Sequence, residues 1–166
     1  MSDDLERTIL QAFPPQPLGK AAKELRRLAE TMGDGSALGQ VSVWTNAVEP
    51  LLSAATGELP GHIMFLDGDA WRALLPAWMV ASLRSGDRAH RLLGSVVATL
   101  DPGFTPKAPE VFSERAAGLT AAQRTAVAEF VSWAAQQPVL ADDAHSEAEV
   151  GRLQSAWPHP SNALSR

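Results

Sequence analysis

The sequence predicts an all-α fold: a single-domain bundle of about six or seven helices around a central, apolar, proline-kinked helix. Three observations predict it. Apolar residues recur three and four positions apart through most of the chain. No stretch shows sustained alternation with β-branched residues and hairpin turns. Finally, Phe65 to Leu83, FLDGDAWRALLPAWMVASL, is apolar on nearly every face, and its only formal charge after Asp69 is Arg72. Such a helix belongs in the middle of a fold. At 166 residues the chain makes one ordinary domain. A chain of that size buries roughly 70% of its unfolded surface without needing a disulfide or metal. The domain is placed at 1–157, with 158–166 (PHPSNALSR) as a flexible C-terminal tail.

The elements follow in order. Asp3 to Phe13 carries Leu5, Ile9, Ala12 and Phe13 at helical spacing, with acids in its first turn. Pro14, Pro15 and Pro17 stop it and stiffen the connector. Gly19 to Met32 is amphipathic, with Leu25, Leu28, Ala29 and Met32 inward and Lys20, Lys23, Arg26 and Arg27 in water. Gly33, Asp34 and Gly35 end it. Within 36–60, Val41, Val43 and Trp44 suit a short extended piece. Ala47 to Thr56 suits a short helix with Pro50 in its first turn. Gly57, Pro60 and Gly61 mark a loop.

The central helix opens on Asp67 as N-cap, with Leu66 and Trp71 spaced for a hydrophobic staple. Pro76 cannot donate to the carbonyl of Arg72 and predicts a kink. Gly86 closes this helix, and Asp87 caps the next, whose inward residues are Leu92, Leu93, Val96, Val97 and Leu100. Asp101 to Pro109 reads as a long surface loop, followed by a short helical piece around Glu110 to Ala117. Thr120 and Gln123 form a capping box for a helix reaching Gln137, with Val127, Phe130, Val131 and Ala134 inward. A last helix runs from about Asp142 to Trp157.

Composition narrows the function classes. The chain has no cysteine, which removes disulfides, thiolate metal sites and cysteine nucleophiles. The acidic N-terminal segment is unlike a signal peptide, and the longest uncharged apolar run, Ala73 to Leu83, is about half of a membrane span. A cytoplasmic protein without a membrane partner is expected. A net charge of −5 disfavours nonspecific nucleic-acid binding and suits a basic protein partner.

Candidate chemistry is sparse. Asp67-Gly68-Asp69 starts like a calcium loop, but position twelve is Trp78, so it reads as a helix cap. His62, His90, His145 and His159 are scattered. Asp142, Asp143, His145, Glu147 and Glu149 form an acidic cluster. A solvated helix start explains it, a partner-binding patch is the alternative, and a metal site is the remote one. Gly33 to Gly39 lacks the preceding strand of a phosphate-binding loop. No GxSxG is present. Arg72 reads as a buried polar anchor, paired with a carboxylate or with backbone carbonyls, with a ligand- or partner-facing role as the alternative. Trp133 lies off its helix's main stripe; core or edge packing explains it, with a partner hot spot as the alternative. No catalytic residue, metal site or cofactor is assigned.

The block Leu66, Asp69, Ala70, Trp71, Arg72, Leu75, Pro76, Ala77 and Trp78 resembles a family of bacterial proteins known only as a domain of unknown function. Similar segments are Thr99 to Pro102, Phe112, and Leu119, Thr120, Gln123 and Arg124. The resemblance covers roughly 65–135. The first 60 residues depart from the pattern: relatives place cysteines and a tryptophan there, and this chain has only Trp44. The resemblance implies the helix order and carries no activity. It also suggests that some members lie near secreted-toxin genes.

The expected function is therefore a noncatalytic protein-binding module, of immunity or antitoxin type, neutralising a bacterial toxin by direct binding. Asp142, Asp143, Glu147, Glu149 and Trp133 are its candidate contacts. Two alternatives stay open. One is a small enzyme whose site assembles only in three dimensions, near Arg72 and Pro76. The other is a structural subunit that forms a homodimer through surplus apolar surface.

Overall fold

The computed structural model describes residues 2–32, 38–54, 59–86, 90–104, 108–138, 140 and 147–159. The fold is all-α, and no strand occurs among these residues. The helices are α1 (Ser2–Ala12), α2 (Lys20–Met32), α3 (Val48–Ser53), α4 (Gly68–Ser85), α5 (His90–Leu100), α6 (Ala108–Ala117), α7 (Ala121–Ala134) and α8 (Glu147–Ala156). Two 3-10 segments, Trp44–Ala47 and Leu59–Phe65, precede α3 and α4. Pro17 and Val43 form an isolated antiparallel bridge, the only extended pairing among the described residues.

Helix α4 organises the rest. It packs against α1, α2, α3, α5, α6 and both 3-10 segments. Its apolar composition is the reason: Trp71, Leu74, Leu75, Trp78 and Met79 are all fully buried, and Pro76 lies buried within the helix. Burying a side chain of this size is worth roughly 1.5–3 kcal/mol. Several such side chains on one helix offset what the missing hydrogen bond at Pro76 costs.

The ends of the helices match local chemistry. Asp67 caps α4, its carboxylate accepting from the Ala70 N–H at 2.8 Å. Gly86 ends that helix at φ 54°, in the left-handed region that glycine enters without strain. Thr120 and Gln123 close a reciprocal capping box on α7. The inward stripes of α5 and α7 are buried as their spacing predicts.

Buried indoles then fix how the pieces meet, because a buried N–H needs an acceptor. Trp44 donates to the carbonyl of Phe13 at 3.0 Å, and Trp78 to that of Pro60 at 2.8 Å. Trp157 donates to the carbonyl of Leu100 at 2.9 Å, holding the end of α8 on the end of α5. Arg84 pairs with Glu6 and ties α4 to α1. Hydrogen bonding to Glu6 raises the Arg84 pKa further above its ordinary value, against a smaller opposing effect of burial.

Three expectations need correction. The stretch around Pro60 and Gly61, expected as a loop, is the 3-10 segment Leu59–Phe65, with Leu59, Pro60, His62 and Ile63 buried. Phe65, expected to head a buried helix, is 60% exposed; the cap at Asp67 starts the helix after it. Helix α7 ends at Ala134 rather than near Gln137. Gly33 to Ala37, Asp87, Asp142, Asp143, His145 and the tail beyond His159 lie outside the described residues.

Candidate functional site

The second 3-10 segment, the end of α5 and the face of α6 enclose a cavity of about 290 Å³. Its position follows from three anchors. Trp71 of α4 donates its indole N–H to the Thr99 hydroxyl of α5 at 3.0 Å. That hydroxyl donates in turn to the carbonyl of Val96 at 2.8 Å. Arg115 of α6 reaches across and donates from Nη2 to the carbonyls of Met64 at 3.1 Å and Leu66 at 3.0 Å. The same guanidinium stacks on the Trp71 ring, 5.5 Å from its centroid.

The lining divides by chemistry. Met64, Phe65, Phe104 and Val111 form an apolar border, with Ala98 and Phe112 beside them. Among the described residues five large apolar side chains are exposed, and four of them, all but Leu10, are these border residues. Solvent-facing hydrophobics are thus concentrated at one place rather than scattered.

The polar part is Thr99, Asp101 and Arg115. Asp101 is buried and accepts from the Gly103 N–H at 2.8 Å. It also takes a two-point contact from Arg152 of α8, at 3.0 and 3.3 Å. Arg115 is 7% exposed, and its Nε has no hydrogen-bond acceptor. Among the described residues no carboxylate lies within 4.0 Å of its guanidinium. Burial pushes the Arg115 pKa down, with the charge of nearby Glu114 opposing. A second, smaller cavity of about 120 Å³ shares Ala98, Asp101 and Phe104 and extends to Leu140, Glu149, Val150 and Leu153.

The residues singled out in the sequence fall elsewhere, or at the edge of this site. Arg72 is half-buried and, with Pro76 and Gln123, lines a separate depression of about 150 Å³. It pairs with Asp69 and donates from Nη1 to the carbonyls of Glu114 at 2.9 Å and Arg115 at 3.3 Å, clamping the end of α6. The expected burial belongs to Arg115, which the sequence does not distinguish from any other helix arginine. Trp133 is partly buried, its ring 5.5 Å from that of Phe130. With Leu5, Glu129 and His159 it lines a separate surface depression between α1 and α7. Glu147 and Glu149 stand in the first turn of α8, and Glu149 alone reaches the second cavity. No cluster of three or more metal-ligating side chains occurs among the described residues. No helix among them is long and apolar enough to cross a membrane.

A family of unknown function, DUF6714, matches residues 1–159, and the chain belongs to that family. The match takes in the first 60 residues, where the resemblance read from the sequence stops. No curated protein and no solved structure matches the chain.

Proposed function

We propose that this member of the family is a noncatalytic binding protein whose binding site is the cavity over Arg115. One observation carries the reading: among the described residues, four of the five exposed large apolar side chains border one cavity. The polar groups there support binding over bond-making. Thr99 is engaged by Trp71 and Val96, and Asp101 by Gly103 and Arg152, so neither is poised as a base or nucleophile. Partly apolar concavities with a few placed polar groups are the usual form of a ligand site.

The test uses a neutral fluorescent probe, N-phenyl-1-naphthylamine. Saturable binding at one probe per chain is expected. The rim variant Phe65→Ser/Phe104→Ser removes two exposed rings, so it leaves the fold intact while weakening the probe about tenfold or more. Absence of saturable binding, or a rim variant that binds equally well, would sink the proposal.

The toxin-neutralising form of this reading puts a basic protein partner over the same cavity. Its support is the net charge of −5 and the placement of Glu149 in the adjoining cavity. A partner encoded next to this chain that displaces the probe would favour it.

A further inference from the structure

We infer that the cavity takes a small carboxylic acid with an apolar body, its carboxylate held by Arg115. The inference rests on the cavity being the binding site. It begins from a buried charge that forms no ion pair among the described residues, with exposed Glu114 acting on it only from further away. Buried guanidinium groups are ordinarily matched by carboxylates, because an isolated buried ion is costly. Arg115 is 7% exposed, and among the described residues no carboxylate comes within 4.0 Å. Two carbonyls and an indole face hold it in place without charge, Glu114 acts on it without pairing, and Nε is left without an acceptor.

The charge of the ligand follows from the neighbours. The carboxylate in the cavity lining is Asp101, and it is committed to Arg152 and to the Gly103 N–H. Arg115 and Arg152 against Asp101 leave one positive charge, and the carboxylates of Glu114 and Glu149 lie close enough to offset part of it. That suits a single negative charge; a phosphate dianion would meet the Asp101 carboxylate with too little compensation. Nη2 spends both hydrogens on carbonyls, so a carboxylate oxygen would meet the remaining guanidinium N–H groups through single charge-assisted hydrogen bonds.

The body of the ligand follows from the rest of the lining. Met64, Phe65, Val111 and Phe112 offer carbon rather than hydrogen bonds. A volume of about 290 Å³ lies at the small end of ligand sites, which fits a short aliphatic or single-ring acid.

The experiment compares octanoate with octanol on the wild-type protein, by displacement of bound N-phenyl-1-naphthylamine. The two differ in the headgroup and share the chain. Octanoate is expected to bind about tenfold to a hundredfold tighter, the worth of a charge-assisted hydrogen bond. In parallel, the Arg115 Nε–H resonance in a nitrogen-15 spectrum should move with octanoate and stay with octanol. This readout needs no substitution, which matters because Arg115→Ala removes two carbonyl contacts and risks the fold. Equal affinities, or an unmoved Nε–H, would overturn the carboxylate and leave the apolar cavity standing. Bound probe that neither compound displaces would overturn the inference as well. Failure of the probe itself to bind would remove the underlying reading.

Discussion

Arg72 and Arg115 are both held by backbone carbonyls, yet they occupy opposite electrostatic situations. Arg72 lies at the rim, where α4 meets the end of α6, with Asp69 one turn back to balance it and water alongside. Arg115 lies on the inner side of the same helix end, against Trp71, buried and without an ion pair among the described residues. Two guanidiniums thus lock one junction from two sides, one neutralised locally and one not. A group that is fully paired has finished its work in the fold. Arg115 is buried and anchored without an ion pair among the described residues, and it borders the cavity.

The largest expected effect separates the two by stability. Arg115→Met leaves the Leu66 carbonyl buried without a donor and the Met64 carbonyl partly so. Each orphaned acceptor costs about 1–3 kcal/mol, and relief of the buried charge returns part of that. We expect a loss of about 2–4 kcal/mol. Arg72→Met frees carbonyls that water can reach and an ion pair with a mostly exposed Asp69, so about 0.5–1.5 kcal/mol is expected. Urea denaturation of both variants decides it. If Arg72→Met proved the more damaging, the rim and not the interior would be the principal lock.

The same contrast explains what was legible in the sequence. The pairing of Asp69 with Arg72 is a three-residue spacing on one helix, and the caps at Asp67 and Thr120 are equally local. Buried stripes such as Leu92, Leu93, Val96 and Val97 follow from period alone. What failed was everything set by separation. Arg115 meets Leu66 across 49 positions, and Arg152 meets Asp101 across 51. Nothing local marks either arginine. Phe65 and Phe104 read as ordinary apolar residues of a helix start and a loop, because exposure depends on what other elements leave uncovered. Gathering of exposed residues into one border, which carries the functional reading, has no signature along the chain.

Gly118 sharpens the comparison at an intermediate scale. It follows α6 directly, and a Cβ there would fall 2.5 Å from Nε and Cζ of Arg72. The obstructed atoms are the end of a flexible side chain, so Arg72 must yield rather than the backbone. Gly118→Ala is therefore expected to cost about 1 kcal/mol, the worth of the Arg72 clamp and no more. Made in an Arg72→Ala background, the same change should become neutral or gain about 0.4–1 kcal/mol through the less flexible unfolded chain. A double-mutant cycle measures this coupling. Additive effects would mean that Gly118 answers to backbone geometry instead of to Arg72. Arg115 should be indifferent to the change, which its Nε–H resonance reports.

The smallest effect concerns the carboxylates at the start of α4, beside the Arg72 rim. Glu24 of α2 accepts from the Asp67 N–H at 3.0 Å. Burial raises the Glu24 pKa, and contact with Asp67 raises it further. Hydrogen bonding with Glu24 lowers the Asp67 pKa, and so does the bond from the Ala70 N–H. Their linkages to stability have opposite signs. Asp67 contributes fully above its unfolded pKa, and the contribution is lost as pH falls through its folded value. Glu24 contributes below its unfolded pKa, and that contribution is lost as pH rises through its raised folded value. Glu24→Gln keeps an acceptor for the Asp67 N–H and removes the second of these losses. Relative to the parent, the variant should therefore gain stability from pH 4 to pH 7, by less than about 0.5 kcal/mol because both groups face water. Urea midpoints at the two pH values measure it. A variant that loses ground at pH 7 would show that the charge on Glu24 strengthens its bond to the helix start by more than burial opposes it. The rim would then rest on two carboxylates, which would widen its contrast with Arg115, which forms no ion pair among the described residues.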